Sequence, residues 1–144
     1  QSTIRGRGTI ATLYGSAEAV PSLGVVRLTS LGYDEVGSIS MWALDADRPI
    51  SSFAASFTVG MSGGSCGHAG IAEHCGGEGI SFMYGPDLTS AFGVADVWAG
   101  LRVSMLTGAE PRLVVSYDDD VLVTVPAELR AAAMVARISV GWWP

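Results

Sequence analysis

Three groups of residues carry the chemistry this chain could do. Glu78 stands in a glycine cluster, Cys75-Gly-Gly-Glu-Gly, that opens directly into the apolar run Ile80 to Tyr84. Glycines let the backbone take positive φ or approach another chain closely, so a carboxylate on such a loop is offered at a strand end as a hydrogen-bond acceptor. Its other reading is a loop acid that accepts backbone N–H bonds. Cys66 and Cys75 lie nine positions apart in the same glycine-rich stretch, with His68 and His74 between them. In an oxidising compartment the two thiols pair, and closing so short a loop stabilises the fold by about 2.7 kcal/mol on the chain-entropy account. The alternatives are a zinc site that draws on both histidines, and free thiols. Zinc ligands prefer spacings of about two to four residues, and adjacent His74 and Cys75 rarely reach one ion, so the disulfide is the expectation. Asp118, Asp119 and Asp120 form the third group. They suit part of a calcium loop or a solvated hairpin turn, and no further spaced acids follow, so the turn is expected and no metal site is.

Aromatic residues extend these groups. Tyr84 closes the run after Glu78, Trp98 sits two positions from Asp96, and Tyr117 precedes the aspartates. Each ring could stack on a sugar or pack in a core, and a lone tryptophan such as Trp98 more often packs in a core. Trp142 and Trp143 are adjacent near the C-terminal end, and neighbours on a strand point to opposite faces, so at least one meets solvent or a partner. No Ser/His/Asp order, phosphate loop or nucleotide fingerprint occurs; Gly6-x-Gly8 and Gly60-x-x-Gly63-Gly64 lack a strand-to-helix setting.

The elements that must position these groups are short. Leu23 to Thr29, Ser38 to Leu44, Phe53 to Val59, Ile80 to Tyr84 and Trp98 to Leu106 all alternate or are rich in β-formers. Phe53, Ala55, Phe57 and Val59 share one face, as do Leu101, Val103 and Met105. Leu113 to Tyr117 and Val121 to Val125 read as a hairpin joined by the aspartate turn. Asp45 to Pro49 is a turn. Met61 to Gly79 holds seven glycines and both cysteines, which marks a long loop of the functional, stapled or mobile kind. Ala127 to Ala136, behind Pro126, is the one strong helix former, read as a short helix or as a turn leading into a strand over Val135 to Val140. Gln1 to Thr12 is polar, then weakly alternating, with a flexible Arg5-Gly-Arg-Gly start. Many short strands between Gly, Pro and Asp turns point to an all-β sandwich.

Composition bounds the class. The chain of 144 residues is one domain in size, 1–144, large enough for a core. Fourteen acids against eight bases, all arginine, give a net charge of −6, so no basic patch exists to neutralise nucleic-acid phosphates or an anionic membrane surface. There is no lysine and no asparagine, so no N-glycosylation sequon and no asparagine ligand. No apolar run is long enough to span a bilayer as a helix. No signal segment opens the chain, which fits a mature secreted form or a piece of a longer protein.

The order of features resembles the concanavalin A-like lectin/glucanase superfamily, in particular its L-type lectin domains. The residues that carry the resemblance are Gly24-Val-Val-Arg-Leu-Thr, Val36-Gly-Ser, Phe53-Ala-Ala-Ser-Phe-Thr-Val, Gly77-Glu-Gly-Ile-Ser-Phe-Met-Tyr-Gly-Pro, Gly100-Leu-Arg-Val-Ser-Met and Leu113-Val-Val-Ser-Tyr. The resemblance implies an antiparallel jelly roll of two sheets that binds carbohydrate at loops over one sheet. It also implies departures. Glu78 stands where the family has a sugar-binding aspartate, and Ser104 and Leu106 stand where it has metal-binding acids. With no asparagine either, the calcium/manganese site is expected to be absent. No Glu-x-Asp-x-Glu pattern occurs, so glycosidase action is not expected.

The expectation is therefore a non-catalytic, cofactor-free, lectin-like recognition or adhesion module outside the cell or on its surface. Glu78, Tyr84, Asp96 and Trp98 are the sugar-binding candidates, Cys66 and Cys75 form a disulfide, and Trp142 and Trp143 form an interaction surface. Its partner is a glycan or another extracellular protein. The competing expectation is a structural domain of an extracellular or cell-surface polymer that self-assembles through its apolar surface.

Overall fold

A computed structural model of the chain describes residues 2–5, 10–30, 35–41, 50–62, 79–85, 99–107, 110–127 and 133–143. The described residues form antiparallel strands and no helix. In chain order the strands are β1 (Ser2–Arg5), β2 (Ile10–Gly15), β3 (Glu18–Val20), β4 (Val25–Arg27), β5 (Gly37–Met41), β6 (Phe53–Ser62), β7 (Gly79–Tyr84), β8 (Leu101–Leu106), β9 (Arg112–Tyr117), β10 (Asp120–Pro126) and β11 (Ala133–Trp142). They pair as a four-stranded sheet β10-β9-β8-β7, a long ribbon β11-β6, a three-stranded sheet β1-β2-β5 and a small hairpin β3-β4.

Two of these units make the framework that concerns function. Register aligns Ile80, Phe82 and Tyr84 of β7 with Met105, Val103 and Leu101 of β8, and those with Leu113, Val115 and Tyr117 of β9. Period-two alternation puts all nine on one face. The ribbon answers with Phe53, Ala55, Phe57 and Val59 of β6, which register against Trp142, Val140, Ile138 and Ala136 of β11. The ring contacts place one layer on the other: Phe57 stacks on Phe82 at 5.6 Å between centroids, Phe53 lies 4.3 Å from Tyr84, and Trp142 stacks on Tyr117 at 6.2 Å. β6 therefore lies over β7, and β11 over β9. A small void remains between the layers, lined by Phe57, Ile80, Phe82, Val103, Met105 and Ile138. With only apolar walls it gives water no partner and stays dry. Removing this face from water drives the assembly, at about 25 cal/mol per Å² of apolar surface.

The opposite face of the four-stranded sheet is polar at its centre. Ser81 and Ser104 share a hydrogen bond of 2.7 Å, and Arg102 Nε donates to Ser116 Oγ at 3.3 Å. Ser104 and Ser116 are buried, so these bonds satisfy hydroxyls that would otherwise be desolvated without partners. In the three-stranded sheet β2 is buried on both faces, by Ala11 and Leu13 on one and Thr12 on the other.

Several expectations are met. β6 carries Phe53, Ala55, Phe57 and Val59 inward, β8 carries Leu101, Val103 and Met105 inward, and β9 and β10 form the hairpin. The strand expected over Leu23 to Thr29 shrinks to Val25–Arg27, tied to β3 by the Arg27–Glu18 ion pair. Of the two readings of the stretch behind Pro126, the one that leads into a strand holds: the strand expected over Val135 to Val140 is present and runs longer, from Ala133 to Trp142, because residues 133–136 extend the ladder on β6 from Ser62 to Val59. Ladder pairing over ten residues outweighs an alanine preference worth a few tenths of a kcal/mol per residue.

Candidate functional site, an aromatic end of the two layers

One end of the layered pair gathers rings from four strands. Tyr84, the last residue of β7, pairs with Leu101, the first of β8; Leu101 pairs with Tyr117, the last of β9; Tyr117 pairs with Asp120, the first of β10. Above this row lie Phe53, which opens β6, and Trp142, which closes β11, themselves paired. The result is two ring couples, Phe53 tilted on Tyr84 and Trp142 stacked on Tyr117, with Leu101 buried beneath. Aromatic pairs at such separations contribute about 0.5–1.5 kcal/mol beyond their burial. They do not close the site off. Tyr84 is 37% exposed, and Tyr117 and Trp142 are each 45% exposed.

The backbone beside the row is fixed by a reciprocal clasp. Gly100 N donates to Asp118 Oδ1 at 2.7 Å, and Asp118 N donates to Gly100 O at 3.1 Å. Gly100 has φ of +112°, and a Cβ there would run into the Tyr84 carbonyl. Only glycine lets the start of β8 approach the end of β7 this way. Asp118 and Asp119 have φ of 47° and 67°, the left-handed pair that a two-residue type I′ hairpin loop requires. Asp119 reaches Arg102 at 3.4 Å, and Asp120 is exposed beside Tyr117. One exposed carboxylate, Asp120, thus stands beside the rings, while Asp118 is engaged by Gly100 and Asp119 by Arg102 on the polar face of the sheet.

Trp143 extends the same end onto the outer face of the ribbon. It is 70% exposed, and its indole lies over Gly141, where a Cβ would strike the ring. It walls a shallow groove of about 280 Å³ whose floor includes Ala54, Ser56, Ser139 and Gly141. Ser56 Oγ accepts from Arg137 Nε at 3.1 Å and from Ser139 Oγ at 3.3 Å, so the floor carries a small polar network. The two tryptophans face opposite ways, as neighbours in an extended segment must.

Of the residues singled out in the sequence, Tyr84, Trp142 and Trp143 come together here. Glu78, Asp96, Trp98, Cys66 and Cys75, with His68 and His74, lie outside the described residues. Gly79, which follows Glu78, opens β7 at the end opposite Tyr84, roughly 17 Å away at 3.3 Å per residue. Ala99, which follows Trp98, adjoins Gly100 at the Tyr84 end. Phe53 enters the site as the partner of two residues distant in sequence, and no local pattern marks that role. Among the described residues no group of three His, Cys, Asp or Glu is placed to hold a metal ion. No family model matches the chain, and neither a curated protein nor a solved structure does.

Proposed function

We propose that the protein is a non-catalytic, lectin-like recognition module of the extracellular space or cell surface, and that it binds carbohydrate at its aromatic end. The observation that carries this reading is the cluster of part-exposed rings at one end of the layers, Tyr84, Tyr117 and Trp142, with the exposed Asp120 beside Tyr117. A pyranose has an apolar C–H face and a rim of hydroxyls. The C–H face packs on the electron-rich face of a ring, and the hydroxyls donate to carboxylates. A carboxylate acceptor beside part-exposed rings is an arrangement that suits such a ligand. We take the fold as a divergent concanavalin A-like jelly roll, a view supported by the stacked antiparallel layers and by the Phe53 to Val59, Gly79 to Tyr84 and Leu101 to Met105 segments. Ser104 spends its hydroxyl on Ser81, so a metal is not part of this reading.

A broad glycan array, read with the wild type and Trp142→Ala, tests the proposal. Binding that the variant loses, that survives a chelator, and that accompanies an unchanged circular dichroism spectrum is the expected outcome. An array without signal from a folded protein rejects it. A second reading, a structural assembly domain, is favoured by one feature: every residue of β10 is exposed, including Val121, Leu122, Val123 and Val125. Association that rises with concentration in sedimentation velocity, with no glycan bound, would select it.

A further inference from the structure

Resting on the carbohydrate reading above, we infer that the outer face of the ribbon holds a second sugar subsite, built by Trp143, Ser56, Ser139 and Arg137, that takes a pyranose bearing a carboxylate. Period-two alternation turns Ala54, Ser56 and Thr58 of β6 and Gly141, Ser139 and Arg137 of β11 away from the β7–β9 layer, and all six are exposed. Neither strand contains an acid, and Arg137 is the one charged residue in either. Arg27, Arg102 and Arg112 each meet a carboxylate, of Glu18, Asp119 and Glu110. Arg137 meets none among the described residues, where it spends only its Nε–H, on Ser56 Oγ. A guanidinium that keeps both terminal NH2 groups is the fork that grips a carboxylate through two parallel bonds.

The hydroxyls beside it set the rest of the chemistry. Ser56 Oγ accepts from Arg137 and from Ser139, so its own proton is left to donate, and Ser139, whose proton is spent, is left to accept. A carboxylate takes the Ser56 proton together with the guanidinium, and a hydroxyl of the same sugar donates to Ser139. Spacing limits this stretch to one ring. Trp143 lies over Gly141, and the Ser56–Ser139 pair is the next row on the same face, roughly 7 Å along at 3.3 Å per residue. A pyranose spans that interval with its C–H face on the 70% exposed indole and its carboxylate at Arg137, in the groove of about 280 Å³ between them. The net charge of −6 acts only weakly here, because charges more than about 8 Å away are screened at physiological ionic strength.

Isothermal titration calorimetry with methyl β-glucuronide, its uncharged amide, methyl β-glucoside, methyl α-sialoside and a blocked di-aspartate peptide tests the inference. At least one of the two acid sugars is expected to bind about tenfold more tightly than the amide and the glucoside, and to weaken as salt is raised; the better of the two names the source of the carboxylate. Arg137→Ala should erase that preference. Arg137→Lys should lose most of it, because an ammonium lacks the fork, and Trp143→Ala should weaken the acid sugar about tenfold. Both side chains are exposed, so the variants are expected to keep the wild-type circular dichroism spectrum. Equal affinity for charged and uncharged sugars, a folded Arg137→Ala that keeps the preference, or a peptide that binds as tightly as the acid sugars would overturn the subsite and leave neutral-sugar recognition at the ring end standing. Silence towards every saccharide, here and on the array, removes both.

Discussion

At the scale of single residues, glycine and serine decide more than the charged groups do. Trp143 rests over Gly141 because that position has no Cβ. Gly141→Ala should push the indole off the ribbon and into water, seen as a red shift in the emission of a background in which Trp42, Trp98 and Trp142 are replaced by phenylalanine. Ser104 and Ser81 show the same economy on the polar face: Ser104→Ala strands the Ser81 hydroxyl and should cost about 1 kcal/mol in chemical denaturation. Glu35 carries a clear perturbation. The Ser30 hydroxyl donates to it at 2.7 Å, the Ser30 amide donates as well, and together they hold its carboxyl below the usual range. A carboxyl with a lowered folded value adds stability that is present above its unfolded value and is lost as pH falls through the folded one. Ser30→Ala should bring its titration, followed by NMR, back up towards the ordinary value. None of these three partnerships is visible in sequence, since a serine opposite a serine needs the register to be known.

At the scale of elements, the β9–β10 hairpin shows what the sequence can carry. Two apolar runs around Asp118 and Asp119 announce the turn, and the structure gives both residues positive φ. Aspartate tolerates that region at a cost that glycine does not incur. Asp119→Gly should stabilise the protein by about 0.5–1 kcal/mol, even after losing the exposed Arg102 contact, and should raise Tm by about 2 °C. β6 and β8 were legible for the same kind of reason, because Phe53-x-Ala55-x-Phe57-x-Val59 and Leu101-x-Val103-x-Met105 alternate without interruption. β1 and β2 were not, since Ser2 to Gly15 mixes polar and small residues and only the neighbours of β2 bury Thr12 and Leu13. The start of β11 is ambiguous in sequence for a complementary reason: an alanine-rich stretch speaks for helix locally, while the partner that makes it strand, β6, lies far away in the chain. Phe57→Ala, which empties the contact with Phe82 under the middle of the ribbon, should cost about 2–4 kcal/mol and be read by urea denaturation.

At the scale of the whole molecule, the candidate site exists only because distant segments meet. Phe53 reaches Tyr84 through layer stacking and Trp142 through strand pairing, so the rings were legible as individuals and their assembly was not. The layers also end unevenly. The ribbon covers β7 to β9, and Val123 and Val125 stay exposed on the same face as Val115 and Leu113. If copies associate through this margin, Leu122→Lys should abolish the concentration dependence of the sedimentation coefficient. The irregularity between Val121 and Val123 then acquires a meaning of its own. A bulge interrupts the regular row of amide and carbonyl groups, and Pro126 supplies no amide at the far end of the strand. Neighbouring copies can touch through greasy side chains there, yet cannot knit a continuous cross-strand seam. Crowding this surface should give clusters that disperse on dilution, not fibrils.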